Sequence, residues 1–386
     1  MKKVGVLLAI VFISACDVRQ DENYLQSCSS DRFSAIAVGA AHTCAITECG
    51  VTQCWGSNTI GQLGNGSINK ETAFTEAIQN PDTGQIGEHI VTSGGGEPTP
   101  APVKNSENAI AIEAGYNHSC ALTASGIVKC WGKNTYGQLG DGNTTNSEIP
   151  VEVASLVDVI AISTGYYHTC AVTKSQKAFC WGDNRSKQLG QDNMINSTIP
   201  IEVPVASIQK ISAGLHHTCA LTNGSLVCWG IDTKGEAQGH GLQKVSAIAT
   251  GMAHTCALVE GSVYCFGGNA FGELGVGSFV DQPTPQEISG KFSRISAKAE
   301  SMCGIYENLL SCWGQNAQGQ LGVGDVENRN APTRVNVNEG VLDVSVGPYH
   351  SCLITISGRI ACSGLNMYGE LGDGTYQNAK KFTYIP

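Results

Sequence analysis

No apolar stretch among the 386 residues is long enough to cross a bilayer as a helix, so the sequence offers no membrane span of that kind. Positive charge is short. Lysines and arginines number 23 against 33 aspartates and glutamates, a balance that fits poorly with nucleic acid or an anionic lipid surface. Cysteine is plentiful at 17 residues, yet none lies in a Cys-x-x-Cys pair and no repeat supplies four ligands, which argues against zinc. Loops such as GQLGNG and GELGVG lack the Gly-Lys-Ser/Thr ending of a phosphate loop, and DGNTTN (141–146) lacks the spacing and final Glu of a calcium loop. No Ser-His-Asp or paired-carboxylate motif is legible. The expectation is a protein without catalytic residues, metal or cofactor.

What is present begins at the N-terminus. Lys2 and Lys3 precede the apolar run Val4 to Ile13, and "ISAC" follows, ending at Cys16. A charged start, a short apolar core and small residues before a cleavage point read as a secretory signal over residues 1–15. "ISAC" resembles the bacterial lipobox, whose cysteine becomes the lipidated first residue of the mature protein; the alternative is an ordinary signal peptide with a chance cysteine. Asp17 is similar to the inner-membrane retention signal of enteric bacteria. The resemblance implies a lipoprotein of the cell envelope, held to the membrane by palmitate-type lipid on Cys16, on the periplasmic side or at the cell surface. Residues 16–32 would be a tether. Removing residues 1–15 leaves 21 basic against 33 acidic side chains, a formal charge of −12.

A segment of the form "HHTCALTNGSLVCWG" (216–230) occurs seven times, with first cysteines at 44, 120, 170, 219, 256, 303 and 352. Most repeats are 47 to 50 residues long, a period that points to propellers or other arrays. Within each copy the second cysteine follows by ten residues (44/54, 120/130, 170/180, 352/362) or by nine (219/228, 256/265, 303/312). If each copy is a β-hairpin with its cysteines opposed, the midpoint is the turn. Asn223-Gly224 then forms a two-residue type I′ turn, and Glu260-Gly261 takes the same place. In the ten-spaced copies Gly50, Gly126 and Gly358 fill the third loop position, where a left-handed residue is wanted; Lys177, without such a glycine, marks the weakest fit.

Opposed residues on antiparallel strands lie within disulfide reach, and an exported chain meets oxidising conditions. The expected pairs are Cys44–Cys54, Cys120–Cys130, Cys170–Cys180, Cys219–Cys228, Cys256–Cys265, Cys303–Cys312 and Cys352–Cys362. Cys28 and Cys49 remain, and can pair to pin the tether onto the first hairpin. Each short-loop disulfide is worth roughly 2–3 kcal/mol at most.

Each unit also holds an apolar run before its hairpin, such as VIAIST (159–164), and ahead of that a Pro-containing segment such as IPVEV (149–153). Four strands per unit, here A to D, and seven units suit an all-β, seven-bladed β-propeller spanning 33–386. The first unit starts at strand B, FSAIAVG (33–39), and the chain ends with KKFTYIP (380–386), so the C-terminal strand is expected to complete blade one and close the ring.

The combination of "GYYHTCAVT", "CWGDN" and "NTYGQLGDG" (134–142) resembles the regulator of chromosome condensation repeat family over roughly residues 33–386. That resemblance implies the same seven-bladed ring. Copy four departs from it with "WGIDTKGEAQGHG" (229–241) and a shortened segment. Copy six has Lys298 and Ser301 for the usual Gly and His, and copy seven has Ser363 for Trp.

His42, His118, His168, His217, His254 and His350 share one slot. They read as structural, fixing the turn into strand C and facing their own blades. Trp55, Trp131, Trp181, Trp229 and Trp313, with Phe266 in blade five, read as inter-blade packing. Strand directions put the B–C turns and D–A connections on one end of the ring. There Tyr116, Tyr136, Tyr166, Tyr167, Met252, Phe271, Tyr349 and Tyr368 have the composition of an interface core; the alternative is that they only fill the propeller mouth. Cys44 and Cys120 are 76 residues apart, which places an insertion at 67–98 in the first D–A connection, with the Gly- and Pro-rich "TSGGGEPTPAPVK" (92–104) expected to be mobile.

These residues favour a monomeric, membrane-anchored propeller that binds a protein partner. An alternative is inhibition of an extracytoplasmic enzyme, because related propellers include a secreted inhibitor of β-lactamases. The resemblance also implies guanine-nucleotide exchange, which export, disulfides and the lack of basic character oppose. Lyase or hydrolase chemistry, known on unrelated propellers, has no visible constellation.

Overall fold

The computed structural model describes residues 28–69 and 95–386, and describes the strands Thr72–Gln79 and Ile86–Ser93 by their backbone. The signal segment 1–15, Cys16 and the tether up to residue 27 lie outside the described residues.

Blade two shows how a repeat folds. Ala109–Ala114, His118–Thr123, Val128–Gly132 and Ser147–Glu152 form one antiparallel sheet, from the inner strand on the ring axis to the outer strand at the rim. Every residue of His118–Thr123 is buried, whereas Ser147–Glu152 is largely open to solvent. A strand covered on both faces reads as a continuous apolar run, and here the covers are the neighbouring blades. The core therefore lies between blades. Cys44, Ile46, Cys54 and Leu63 of blade one pack with Ala109, Ile112 and Trp131 of blade two.

Seven such units form the ring. Blade one comprises Phe33–Val38, His42–Thr47, Thr52–Ser57 and Gly96–Pro102; blade three Val159–Thr164, His168–Thr173, Ala178–Gly182 and Ser197–Glu202. Blade five is Val245–Thr250, His254–Val259, Ser262–Gly267 and Gln282–Glu287; blade six Arg294–Lys298, Ser301–Tyr306, Leu309–Gly314 and Arg329–Arg334. Blade seven is Val341–Val346, His350–Thr355, Ile360–Gly364 and Ala379–Tyr384. Blade four has three strands, Ile208–Ala213, His217–Thr222 and Ser225–Gly230, in keeping with its shortened repeat. No helix occurs among the described residues.

Two expectations about connectivity are corrected. The Pro-containing segments are the outer strands of the preceding blades, so Ser147–Glu152 finishes blade two and does not open blade three. Likewise Ala379–Tyr384 pairs with Ile360–Gly364 inside blade seven. The fourth place of blade one belongs to Gly96–Pro102, where Ala101 opposes Cys54. The loop after each third strand turns back on itself, so the outer strand lands on the strand just left. Closure comes from packing: Phe33–Val38 lies against Val341–Val346 and His350–Thr355.

The segment expected to be mobile is also ordered in part. Gly96–Pro102 is an outer strand, and edge position tolerates Pro98, Pro100 and Pro102 because an edge strand leaves half its N–H groups unpaired. Ahead of it, Thr72–Gln79 and Ile86–Ser93 form an antiparallel hairpin inserted in blade one's third-to-outer connection.

Cysteine opposition sets every hairpin. All seven pairs stand directly opposite with Cα–Cα distances of 4.0 to 4.2 Å and are disulfide-bonded. Asn223 and Gly224 have φ of 51° and 79°, as a type I′ turn requires. In the third copy the left-handed position falls on Gln176 (φ 60°), one residue before Lys177. An eighth disulfide joins Cys28 to Cys49, in the turn between the second and third strands of blade one.

Candidate functional site

The shared histidines reach across blades, contrary to the expectation that they face their own. His42 Nε2 lies 2.8 Å from Ser119 Oγ, His118 3.0 Å from Thr169 Oγ1, His168 2.8 Å from Thr218, His217 2.9 Å from Thr255, and His350 2.7 Å from Thr43. Glycine makes room for the rings of His42, His118, His168, His217 and His254: a Cβ on Gly115 would stand 2.1 Å from His118 Cε1. Burial holds these imidazoles neutral, lowering His42, His168, His254 and His350 to about 3 and His217 to about 4. Fully enclosed, and engaged with hydroxyls at every position but His254, they stitch the ring. They have no reach to a substrate.

The tryptophans work the same seams. Trp55, Trp131, Trp181, Trp229 and Trp313 each donate an indole N–H to a carbonyl in the preceding blade's loop, at 2.9 to 3.0 Å. The acceptors belong to Glu370, Gln62, Gln138, Gln188 and Glu273, the second residue of each Gly-Gln/Glu-Leu-Gly motif, with Lys187 in place of the first Gly in blade three. These loops are architecture.

A central channel of about 280 Å³ runs along the inner strands, lined by Ser163, Ser212, Thr250, Ser296, Ser345 and the charged Glu113, Lys298 and Asp343. Burial raises Glu113 to about 7 against the pull of Lys298, and burial lowers Lys298 to about 8 against the pull of Glu113. Among the described residues no group of three His, Cys, Asp or Glu is placed to hold a metal ion.

One mouth of this channel carries the tyrosines. Tyr116 stacks on Tyr166 with centroids 5.1 Å apart, and Tyr167 meets Tyr116, Tyr136 and Tyr166 at 5.9, 5.5 and 6.1 Å. Tyr116 and Tyr349 hydroxyls stand 3.4 Å apart, joining blade two to blade seven. Tyr136 comes from a third-to-outer loop and Tyr167 from an inner-to-second turn, so both kinds of connection emerge on this end. Tyr166 is buried and forms the floor; Tyr116, Tyr136 and Tyr167 are half-buried, and Tyr349 is exposed. Burial raises the phenols of Tyr116, Tyr166 and Tyr167, so all remain protonated donors. Met252 and Phe271 sit half-buried on blade five, and Tyr368 stands on blade seven, its N–H donating to Glu370 Oε2 (2.6 Å).

Two features of this end escaped sequence reasoning. Arg185 lies 4.5 Å over the Tyr136 ring while its Nε and Nη2 donate to Asp183 at 2.8 and 3.1 Å; Lys133 lies 6.0 Å over Tyr167. Neither cation has a repeat slot that would announce it. The second is a rim of apolar loop tips. In six blades an Asn at the end of the third strand donates Nδ2–H to a loop carbonyl nine residues on, from Ser67, Asn143, Asn193, Ser278, Asp325 and Thr375. The residues just past those carbonyls include Ile68, Met194–Ile195, Phe279–Val280, Val326 and Tyr376, all exposed. Aligning the loops on that Asn would have revealed them.

The family model of the regulator of chromosome condensation (RCC1) repeat matches residues 54–122, 125–172, 177–221, 260–303 and 310–354. A second model of the repeat matches 109–138, 159–188 and 208–236. The chain is 30% identical over 159 residues to RCC1 domain-containing protein RUG3, mitochondrial, of Arabidopsis thaliana, covering 32% of this chain and 36% of that protein. It is 29% identical over 139 residues to RCC1 domain-containing protein 1 of Homo sapiens, covering 32% and 37%. It thus spans just over a third of the length of these curated relatives. The crystal structure of Kap60 bound to yeast RCC1 (Prp20) aligns over 100% of this chain and 91% of that chain, with a TM-score of 0.72 and 18% identity, which shows a shared fold.

Proposed function

This chain belongs to the regulator of chromosome condensation (RCC1) repeat family, and we propose that it is a lipid-anchored, extracytoplasmic ring that binds a protein partner on its tyrosine-bearing end. The fold is a protein-interaction fold, as the yeast RCC1 (Prp20) structure with Kap60 illustrates. The observation that carries the reading is the cluster of Tyr116, Tyr136, Tyr167 and Tyr349 around one channel mouth, framed by exposed apolar loop tips. Amphipathic rings with satisfied backbones below them offer large contact area at low entropic cost, the composition of an interface centre. Arg185 and Lys133 add cations that stay solvated until a partner covers them.

Eight disulfides fit an oxidising compartment outside the cytoplasm. The Cys28–Cys49 bond pins the start of the described chain to a second-to-third-strand turn, at the end opposite the tyrosines. A lipid on Cys16 would therefore tether the ring from behind and leave the tyrosine end facing outward.

Site-specific photo-cross-linkers at Tyr136, Tyr349 and Met194 in cells, with one at Lys174 on the opposite end as control, test this reading. One adduct of fixed mass from the first three positions and not from Lys174 is the expected result. Its persistence after Tyr136, Tyr167 and Tyr349 are together replaced by alanine would overturn it. An adduct that proves to be an enzyme, losing activity when bound, would make the ring an inhibitor.

A further inference from the structure

Opposite the first cysteine of each hairpin, the inner strand carries a serine in four blades, an alanine in two and Glu113 in blade two. The serines show what the slot does. Ser163 Oγ accepts the N–H of Ala213 (3.0 Å), Ser296 Oγ that of Val346 (3.2 Å) and Ser345 Oγ that of Val38 (3.0 Å), each in the next blade. The Glu113 carboxylate does the same for the N–H of Thr164. A neutral hydroxyl suffices for that bond, and two blades form with alanine in its place. The charge of Glu113 is therefore not required by the architecture. Lys298 is a second such charge, standing in the slot that holds glycine in the other six blades.

Taking a charge out of bulk water costs free energy unless partners compensate it, and here the partners are incomplete. Both residues line the central channel and are half-buried, so water reaches them. Lys298 donates to the carbonyl of Ala114, one bond for an ammonium group with three donors. Among the described residues Lys298 and Glu113 form no ion pair, although the field of each acts on the other. Beside Glu113, Thr164 Oγ1 is buried without a partner. The equivalent hydroxyl of Thr250 meets Ser212 Oγ at 2.8 Å, so Thr164 lacks the serine that Glu113 replaces. An acidic acceptor, an idle hydroxyl and an ammonium group with donors to spare thus share one stretch of channel. A simple anion would be repelled by Glu113 and a simple cation by Lys298; a molecule carrying both charges satisfies each. We propose that the channel binds a free α-amino acid, its ammonium group donating to Glu113 and Thr164 Oγ1 and its carboxylate accepting from Lys298. A volume of about 280 Å³ lies at the small end of ligand pockets and restricts the guest to a small side chain. This site does not depend on the protein-binding reading of the tyrosine end.

Calorimetric titration of the full chain with glycine, L-alanine and L-serine tests it, with acetate and methylammonium as the separated charges and glycerol as the uncharged control. Saturable one-to-one binding of at least one amino acid is expected, with acetate, methylammonium and glycerol about tenfold weaker or more. Glu113→Gln keeps an acceptor for Thr164 N–H, and Lys298→Gly restores the residue of the other blades; each should weaken binding about tenfold. The pH profile needs no variant. Glu113, raised by burial to about 7, must be ionised, and Lys298, lowered by burial to about 8, must be protonated. Affinity should therefore be greatest between about pH 7 and 8 and fall on both sides. The other titratable groups coupled to the pair are Asp343, tied to Arg294 at 3.0 Å, and His42, His118 and His168, which burial keeps neutral. No binding of any of the three amino acids, equal binding of acetate or glycerol, a flat pH profile, or affinity unchanged in both variants would overturn the proposal.

Discussion

Blades two and six are the same repeat folded to the same four strands, and they are held by different means. Blade two is stitched to both neighbours by buried histidines, and its Trp131 is locked under Gln62 O. Blade six keeps Trp313 and its disulfide, but has exchanged Gly, His and Thr for Lys298, Ser301 and Met302. The three exchanges are one physical event. A glycine is required only where a histidine ring presses on its α-carbon, and a hydroxyl only where a histidine addresses it. Remove the ring and both partners are released, one to send a lysine across the channel. Repeats can therefore drift in groups of contacting positions while the fold stays fixed.

The largest expected effect separates the histidine belt from blade six by acid. Six buried imidazoles lie below the 6.5 of an exposed histidine. Their folded pKa values are depressed, so the stability they confer is whole above pH 6.5 and declines as pH falls through the range where only the unfolded chain takes up protons. Denaturant titrations should show the midpoint falling steeply from pH 6.5 to about 4, with up to six protons absorbed on unfolding. A flat midpoint over that range would break the distinction.

Next in size is the tryptophan slot. Trp131→Ala opens a cavity between blades one and two and loses one hydrogen bond, and should cost about 3–5 kcal/mol. Ser363→Ala, the same slot at the seam between blades six and seven, should cost about 1 kcal/mol. Equal losses in thermal or denaturant melts would show that the two seams carry the same load.

The smallest effect sharpens the contrast among loops. Glu370 sits where four other blades have Gln, and its Oε1 is buried without a partner. Burial raises it to about 7. With a folded pKa above the unfolded 4.5, the carboxyl destabilises progressively as pH rises from 4.5 through 7. Glu370→Gln should therefore add about 1 kcal/mol at pH 8 and next to nothing at pH 4.5, in melts compared at the two values.

Much of this was legible beforehand. Cysteine spacing of nine or ten around an Asn-Gly or a lone Gly determines a hairpin register, because opposed residues and turn length are linked by counting. Glycine and histidine slots announced the repeat. Sequence does not decide which blade the outer strand joins, because a strand between two units is equally near both; only the reversal of the preceding loop decides it. Gly96–Pro102 reads as loop in the sequence because Pro and Gly are poor in central strands, whereas edge position accepts them.

Composition, spacing and the repeat by themselves determined the strand content, the seven units and the hairpin cross-links, since these depend on neighbours within about a dozen residues. Tertiary structure alone decided that His118 serves blade three, that Arg185 covers Tyr136, that Tyr116 meets Tyr349 from 233 residues away, and that Lys298 reaches Ala114 across the channel. Those contacts join residues whose separation is set by the curvature of the whole ring, and no local pattern carries that distance.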